Sequence, residues 1–103
     1  MWIFFTDAFL SVVDKGGDGT TLLVRARRAG EIEKVFPEAN VKVGGGTDYG
    51  YRARLPRERV AEKIAEAVRG ITYPNFKSEV RDRARHDAYM DVWSVMFDYQ
   101  RAE

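Results

Sequence analysis

The stretch TTLLVRARR, residues 20–28, alternates apolar and polar side chains, which is typical of a β-strand with two different faces. The apolar positions on one face are Leu22, Val24 and Ala26. The opposite face carries Leu23, Arg25 and Arg27. The stretch YGYRARL, residues 49–55, repeats this pattern with Arg52 and Arg54 on the polar side. Because successive side chains of a strand point to opposite sides of its sheet, both strands predict one apolar face and one arginine-bearing face.

The strand over residues 20–28 is predicted to form a hairpin with the segment before it. Residues 2–13 are rich in aromatic and β-branched types and predict a first strand, bent near Asp7-Ala8, where the alternation loses phase. Glycines within residues 14–19 predict the turn that joins it to residues 20–28.

The helix signals lie between and after these strands. A short helix is predicted near Gly30, a short strand over residues 41–43, and a longer helix between Pro56 and Gly70. Apolar residues at helical spacing on the longer helix are Val60, Ala61, Ile64, Ala65 and Val68. Four-residue spacing in the remainder predicts a C-terminal helix, which the charged residues 81–87 either continue or break in two.

The predicted order is ββαββα followed by a C-terminal helix. Its βαββα part is the core of a ferredoxin-like sandwich, with the first strand in the place of that fold's last strand. We therefore predict a single α+β domain over residues 1–103, a two-layer sandwich with an antiparallel sheet and helices on one face. The side chains expected to pack across the two layers are Leu22, Val24, Tyr49 and Tyr51 against Val60, Ile64 and Val68.

The composition excludes several classes of function. The chain carries 17 Lys and Arg against 16 Asp and Glu, and a net charge of +1 gives no long-range attraction to nucleic acid or anionic membranes. The absence of cysteine excludes disulfides, thiolate catalysis and cysteine-ligated metal sites. No apolar run has the length of a membrane span, and the N-terminal run lacks the features of a signal peptide. The sequence therefore predicts a cytoplasmic protein.

The arginine-bearing face is the most informative feature for function. In the permuted arrangement the two alternating strands are neighbours, so their arginines cluster on the side away from the helices. This cluster consists of Arg25, Arg27, Arg52 and Arg54. Either Trp2 and Phe4 or Ile3 and Phe5 border it. Three interpretations stay open: a solvated face whose arginines pair with carboxylates, a protein interface, or a face that stacks bases and binds phosphates.

No constellation for catalysis or cofactor binding is predicted. His86, the only histidine, has Asp87 beside it and Asp82 one turn earlier, but a metal site needs three or four ligands and no second cluster supplies them. Capping of the helix by Asp87, or a contact of His86 with Tyr89 or Met90, is the simpler interpretation. The two glycine-rich runs lack the lysine and hydroxyl residue of a phosphate loop, so they predict turns.

The predicted C-terminal helix carries two apolar stripes, one with Val92 and Met96 and a second that is aromatic. The aromatic stripe consists of Tyr89, Trp93 and Phe97. One sheet contact does not require so much apolar surface, so we expect either docking over the helical face of the sheet or a two-fold dimer. A monomer and a homodimer are thus both open, and Trp93 is a candidate anchor for a partner.

Several segments together resemble an uncharacterised family of bacterial and mobile-element proteins of about the same length. The segments are MWIF at residues 1–4, LLVRAR at 22–27, DYGYRAR at 48–54 and RHDAYMDVWSVM at 85–96. The resemblance covers nearly the whole chain and implies no catalytic motif. Small stand-alone domains of this kind include anti-CRISPR proteins and other inhibitors of nuclease complexes, and that analogy is one of size and context only.

The expected function is therefore that of a non-enzymatic protein-binding domain, an inhibitor or regulator of a nucleic-acid-processing complex. The expected contacts are Arg25, Arg27, Arg52, Arg54, Trp2 and Trp93, with no metal and no cofactor. The alternatives are a single-stranded nucleic-acid-binding domain that uses the same sheet face, and an enzyme centred on His86.

Overall fold

The computed structural model describes residues 1–45 and 48–102. The strands are β1 Trp2–Phe4, β2 Phe9–Val13, β3 Thr21–Ala26, β4 Lys42–Val43 and β5 Tyr51–Pro56, and the α-helices are α1 Glu31–Val35, α2 Arg57–Arg69 and α3 Arg83–Arg101. The chain forms two compact units, one over Met1–Thr72 and one from Tyr73 onward. The first unit contains the sheet with α1 and α2, and the second contains α3. The prediction of a single domain stays a prediction.

The sheet is antiparallel throughout, with the strand order β1-β2-β3-β5-β4. The two alternating strands β3 and β5 are neighbours, in a register that places Val24 opposite Ala53 and Arg25 opposite Arg52. The α+β fold class, with its antiparallel sheet, is confirmed. The strict ferredoxin-like arrangement stays a prediction, because β1 adds a fifth strand at the edge.

One face of the sheet forms the core with α1 and α2. Leu10, Val24 and Ala26 are completely buried there, and Ile32, Phe36 and Val60 from the two helices pack against them. Burying an aliphatic or aromatic side chain of this size contributes about 1.5–3 kcal/mol, so this cluster accounts for much of the unit's stability. The core fixes which side of β3 and β5 faces away from α1 and α2, and that side carries the arginines.

The predicted first strand is in fact two strands. The backbone N–H of Phe5 donates to the carbonyl of Ala8 at 2.8 Å, which closes a tight turn. β1 then pairs with β2, with Trp2 opposite Ser11 and Phe4 opposite Phe9. The loss of alternation near Asp7-Ala8 therefore marks a reversal of the chain and not a bend within one strand.

Two residues predicted to pack between the sheet and the helices do not. Tyr49 precedes β5, so the alternation of that strand does not apply to it, and its ring contacts arginines of the opposite face. Val68 is 60% exposed, whereas Val60 on the same helix is 2% exposed. Helical spacing shows which stripe of α2 is apolar but not how far along the helix the sheet covers that stripe. The predicted positions of Leu22, Val24, Tyr51 and Ile64 agree with the structure.

The second unit consists of a single 3₁₀ turn, Lys77–Glu79, followed by α3. The side chain of Asp82 caps α3 by accepting a hydrogen bond from the backbone N–H of Arg85 at 2.9 Å. The charged stretch thus contains the start of a helix, which resolves the open question of a break. Within residues 1–45 and 48–102, none of the helices combines the length and apolar character that crossing a membrane requires.

Candidate functional site

The face of the sheet opposite α1 and α2 carries a row of side chains that crosses all five strands. We call this side the arginine face. The row consists of Trp2, Ser11, Arg25, Arg52 and Lys42, each directly opposite its neighbour in the strand register. Four strand spacings correspond to about 19 Å. One aromatic, one hydroxyl and three cationic side chains therefore lie in a line long enough to contact an extended surface of a partner.

Arg25 and Arg27 are held against one aromatic ring. Their guanidinium carbons lie 4.5 and 4.2 Å from the centroid of the Tyr49 ring, within the range of a cation–π interaction. Arg27 also forms a two-pronged ion pair with Asp48, with both nitrogen–oxygen distances at 3.0 Å. This hydrogen-bonded pairing raises the pKa of Arg27 and lowers the pKa of Asp48. The two guanidiniums are therefore positioned before any partner binds.

Arg25, Arg52 and Arg54 each donate a hydrogen bond to an uncharged acceptor. Arg25 donates to the hydroxyl of the buried Ser11 at 2.8 Å. Arg54 donates to the backbone carbonyl of Lys15 at 2.8 Å, and Arg52 donates to that of Gly44 at 3.4 Å. Bonds to neutral acceptors orient a guanidinium without cancelling its charge. One of the three interpretations of this face was pairing with carboxylates. Among the residues that the structure describes, it applies to Arg27, whereas Arg25 and Arg54 have no carboxylate at ion-pair distance.

Aromatic side chains lie at the β1 and β2 end of the arginine face. The structure selects Trp2 and Phe4, and not Ile3 and Phe5, as the pair on this side, since Ile3 and Phe5 pack against the core. The Phe9 ring contacts both, at 6.1 Å from the Trp2 ring and 4.8 Å from the Phe4 ring. Trp2 remains 67% exposed. A supported and exposed tryptophan thus lies at the end of the row of cations.

Four of the six predicted contact residues lie on strands of the same sheet, and Arg27 directly follows β3. Trp93 belongs to the second unit, where it is 59% exposed and its ring stacks on Phe97 at 5.4 Å. Sequence analysis missed Tyr49, Ser11 and Lys42 as members of the arginine face. The small residue Ser11 within an apolar strand was a usable signal, whereas a two-residue strand such as β4 has too few positions to show which way Lys42 points.

His86 lies in the first turn of α3 with its Nδ1 3.5 Å from a carboxylate oxygen of Asp87. The helix is capped by Asp82 and not by Asp87, which corrects the capping prediction. In the part of the chain that the structure describes, no group of three or more His, Asp or Glu side chains is placed to hold a metal ion.

Removing the Arg27 guanidinium is expected to change the titration of Asp48. In Arg27→Gln the pKa of Asp48 should rise toward its ordinary value of 3.8, because the hydrogen-bonded cation that lowers it is lost. A lowered pKa in the folded state stabilises the fold above the ordinary value, and this contribution is lost as the pH falls through the lowered one. The effect on stability is small, since both side chains are exposed.

Carboxyl-carbon NMR titration measures this directly. Asp18 is the internal control, because its pKa is lowered mainly by a hydrogen bond from Thr20 and should stay unchanged. An unchanged Asp48 pKa in the variant would mean that the ion pair is not formed in solution.

Comparison with known proteins gives no match: neither a family model, nor a curated protein, nor a solved structure matches the chain. The resemblance noted from the sequence therefore stays a prediction.

Proposed function

We propose that the protein is a non-enzymatic binding domain that docks on another protein through its arginine face, as an inhibitor or regulator of a nucleic-acid-processing complex. The partner surface that fits is acidic, with a pocket for one aromatic side chain. The cations supply electrostatic complementarity, which favours association and orients the partner.

One observation carries this proposal: the guanidiniums of Arg25 and Arg27 are fixed over Tyr49 on the same side of the sheet as the exposed Trp2. Arginine, tyrosine and tryptophan are the residue types that contribute most of the free energy at protein interfaces. Side chains that are already ordered lose less conformational entropy on binding. The arginine face therefore has both the composition and the rigidity of an interface centre.

The aromatic rings favour a protein partner over a nucleic acid. Binding of single strands commonly uses exposed rings on which successive bases stack. The Tyr49 residue is 5% exposed and its ring already contacts two guanidiniums. Phe4 and Phe9 are half-buried against each other, which leaves Trp2 as the exposed ring at this end of the face.

Charge reversal on the arginine face tests the proposal. Arg27→Glu/Arg54→Glu is expected to reduce capture of a partner from a lysate of the native host by about tenfold or more, because complementary charges become repulsive. Both side chains are exposed, so circular dichroism should show an unchanged fold. Arg69→Glu, an exposed reversal on α2, is the control and should capture the partner as the wild type does. If the double variant captures every protein that the wild type captures, the proposal is wrong.

Single-stranded nucleic acid is a second candidate, supported by the three adjacent cations of the row, Arg25, Arg52 and Lys42. Its affinity would fall steeply with salt, because each phosphate contact releases counterions. Titration of labelled oligothymidylate and oligouridylate at low and moderate salt distinguishes the two candidates. No binding at low salt would exclude this one.

A further inference from the structure

A basic pocket lies on the arginine face near the β2–β3 and β4–β5 turns. Its volume is about 480 Å³, which is within the range of small-molecule sites. The lining includes Lys15, Leu23, Asn40, Lys42, Arg52 and Arg54. Four of these side chains are cations, and none of the described residues that line the pocket is a carboxylate.

The cations come from separate segments that the fold brings together. Arg52 and Arg54 are two residues apart on β5 and therefore share a side of the sheet. Lys42 on β4 is directly opposite Arg52, and Leu23 on β3 is directly opposite Arg54. Lys15 lies in the β2–β3 turn. Two strands and one turn thus place four positive charges around an apolar side chain.

The turns hold the two guanidiniums in place. A Cβ atom added at Gly17 would lie 2.9 Å from a terminal nitrogen of Arg54, and one added at Gly45 would lie 3.0 Å from a terminal nitrogen of Arg52. Because glycine has no side chain, the backbone at these positions can lie close to the two guanidinium groups. The glycine-rich turns therefore leave room for the guanidiniums of Arg54 and Arg52, two of the cations that line the pocket.

Three of the four cations of the pocket lack a carboxylate at ion-pair distance in the described part of the chain. Among residues 1–45 and 48–102, Lys15, Lys42 and Arg54 form no ion pair. Two carboxylates lie near the pocket in the sequence: Asp18 accepts two hydrogen bonds from Thr20 and also interacts electrostatically with Arg54, and Asp14 pairs with Arg57. Clustered like charges repel one another, and a bound anion relieves that repulsion.

We propose that this pocket binds a phosphate group. Guanidiniums match the oxygen spacing of a phosphate and lysines add flexible point charges, so the two residue types together suit a doubly charged oxyanion. Leu23 offers an apolar contact for the rest of the ligand. The phosphate belongs either to a small phosphorylated molecule or to the backbone of a nucleic-acid strand. The inference goes beyond the proposed protein docking and does not depend on it.

The test is an NMR titration of the isotope-labelled protein with three probes: inorganic phosphate, adenosine monophosphate and oligothymidylate, each against sodium chloride at the same ionic strength. We expect saturable shifts of the backbone amides of Lys15, Lys42 and residues 52–54 that chloride does not produce. Saturation by phosphate and the mononucleotide identifies a small phosphorylated ligand. Saturation by the oligonucleotide alone, weakening steeply with salt, identifies a nucleic-acid backbone.

The variant Lys15→Glu/Lys42→Glu tests the pocket directly, because it reverses two of the four cations that line it. It should weaken binding of the saturating probe at least tenfold. The control Arg69→Glu/Lys77→Glu has the same net charge change outside the sheet and should bind as the wild type does. The proposal is overturned if no probe shifts these amides beyond the chloride control, or if both double variants bind equally well.

Discussion

Replacing Phe36 by alanine is expected to lower the free energy of unfolding by about 3–5 kcal/mol, the range for removing a large buried aromatic side chain. Phe36 is 1% exposed, lies at the end of α1 and belongs to the core cluster. Domains of this size are stable by about 5–15 kcal/mol, so the change removes a large part of the total. Urea unfolding followed through the amide signals of β3 and β5 reports on this unit specifically.

Val68→Ala is the control, because helical spacing also predicted Val68 to lie in the core. Val68 is 60% exposed, so its truncation should change the free energy of unfolding by no more than about 0.5 kcal/mol. Equal losses in the two variants would contradict the packing described for α1 and α2.

Trp2→Ala is expected to weaken binding to the captured partner by about 30-fold or more, corresponding to roughly 2–4 kcal/mol for a tryptophan that anchors an interface. Trp2 is 67% exposed and its ring rests edge-on against Phe9, so the substitution removes a contact surface without opening the core. Isothermal titration calorimetry with the purified partner measures the change.

Val43→Ala is the control for this loss, because Val43 is an equally exposed apolar residue of the sheet. It lies opposite Tyr51, on the side that carries α1 and α2, and is 75% exposed. Its truncation should leave the affinity unchanged. A change of less than twofold for Trp2→Ala would remove the tryptophan from the proposed interface.

The sequence predicted the sheet best in two strands whose apolar and polar side chains alternate over many positions. Residues 20–28 and 49–55 have enough alternating positions to assign both faces of β3 and β5, and with them the place of all four arginines. The reversal between β1 and β2 was missed because only Thr6, Asp7 and Ala8 separate the two apolar runs, and so short an interruption does not distinguish a turn from a bend. Short strands have too few residues to show a clear alternation, so their structure depends on pairing with strands that are distant in the sequence.

The sequence predicted which charged residues form the candidate site but not the aromatic ring and backbone carbonyls that hold them in position. The alternation identified Arg25 and Arg27, whereas Tyr49 was assigned to the core, because a tyrosine just outside a strand looks like a strand position. The bonds of Arg54 and Arg52 to turn carbonyls depend on where the turns fold back, which no local pattern encodes. The start of α3 was partly predictable, because its capping residue Asp82 lies within residues 81–87, where the sequence indicated a possible break in the helix.

Site-specific photo-crosslinking tests the central claim, that the arginine face is the surface a protein partner contacts. A photoreactive phenylalanine replaces Lys42, an exposed residue of the arginine face, or Val68, an exposed residue of α2 on the other side of the sheet. After irradiation in a lysate of the native host, we predict a defined protein adduct from position 42 and none from position 68. An adduct from position 68 with none from position 42 would contradict the account.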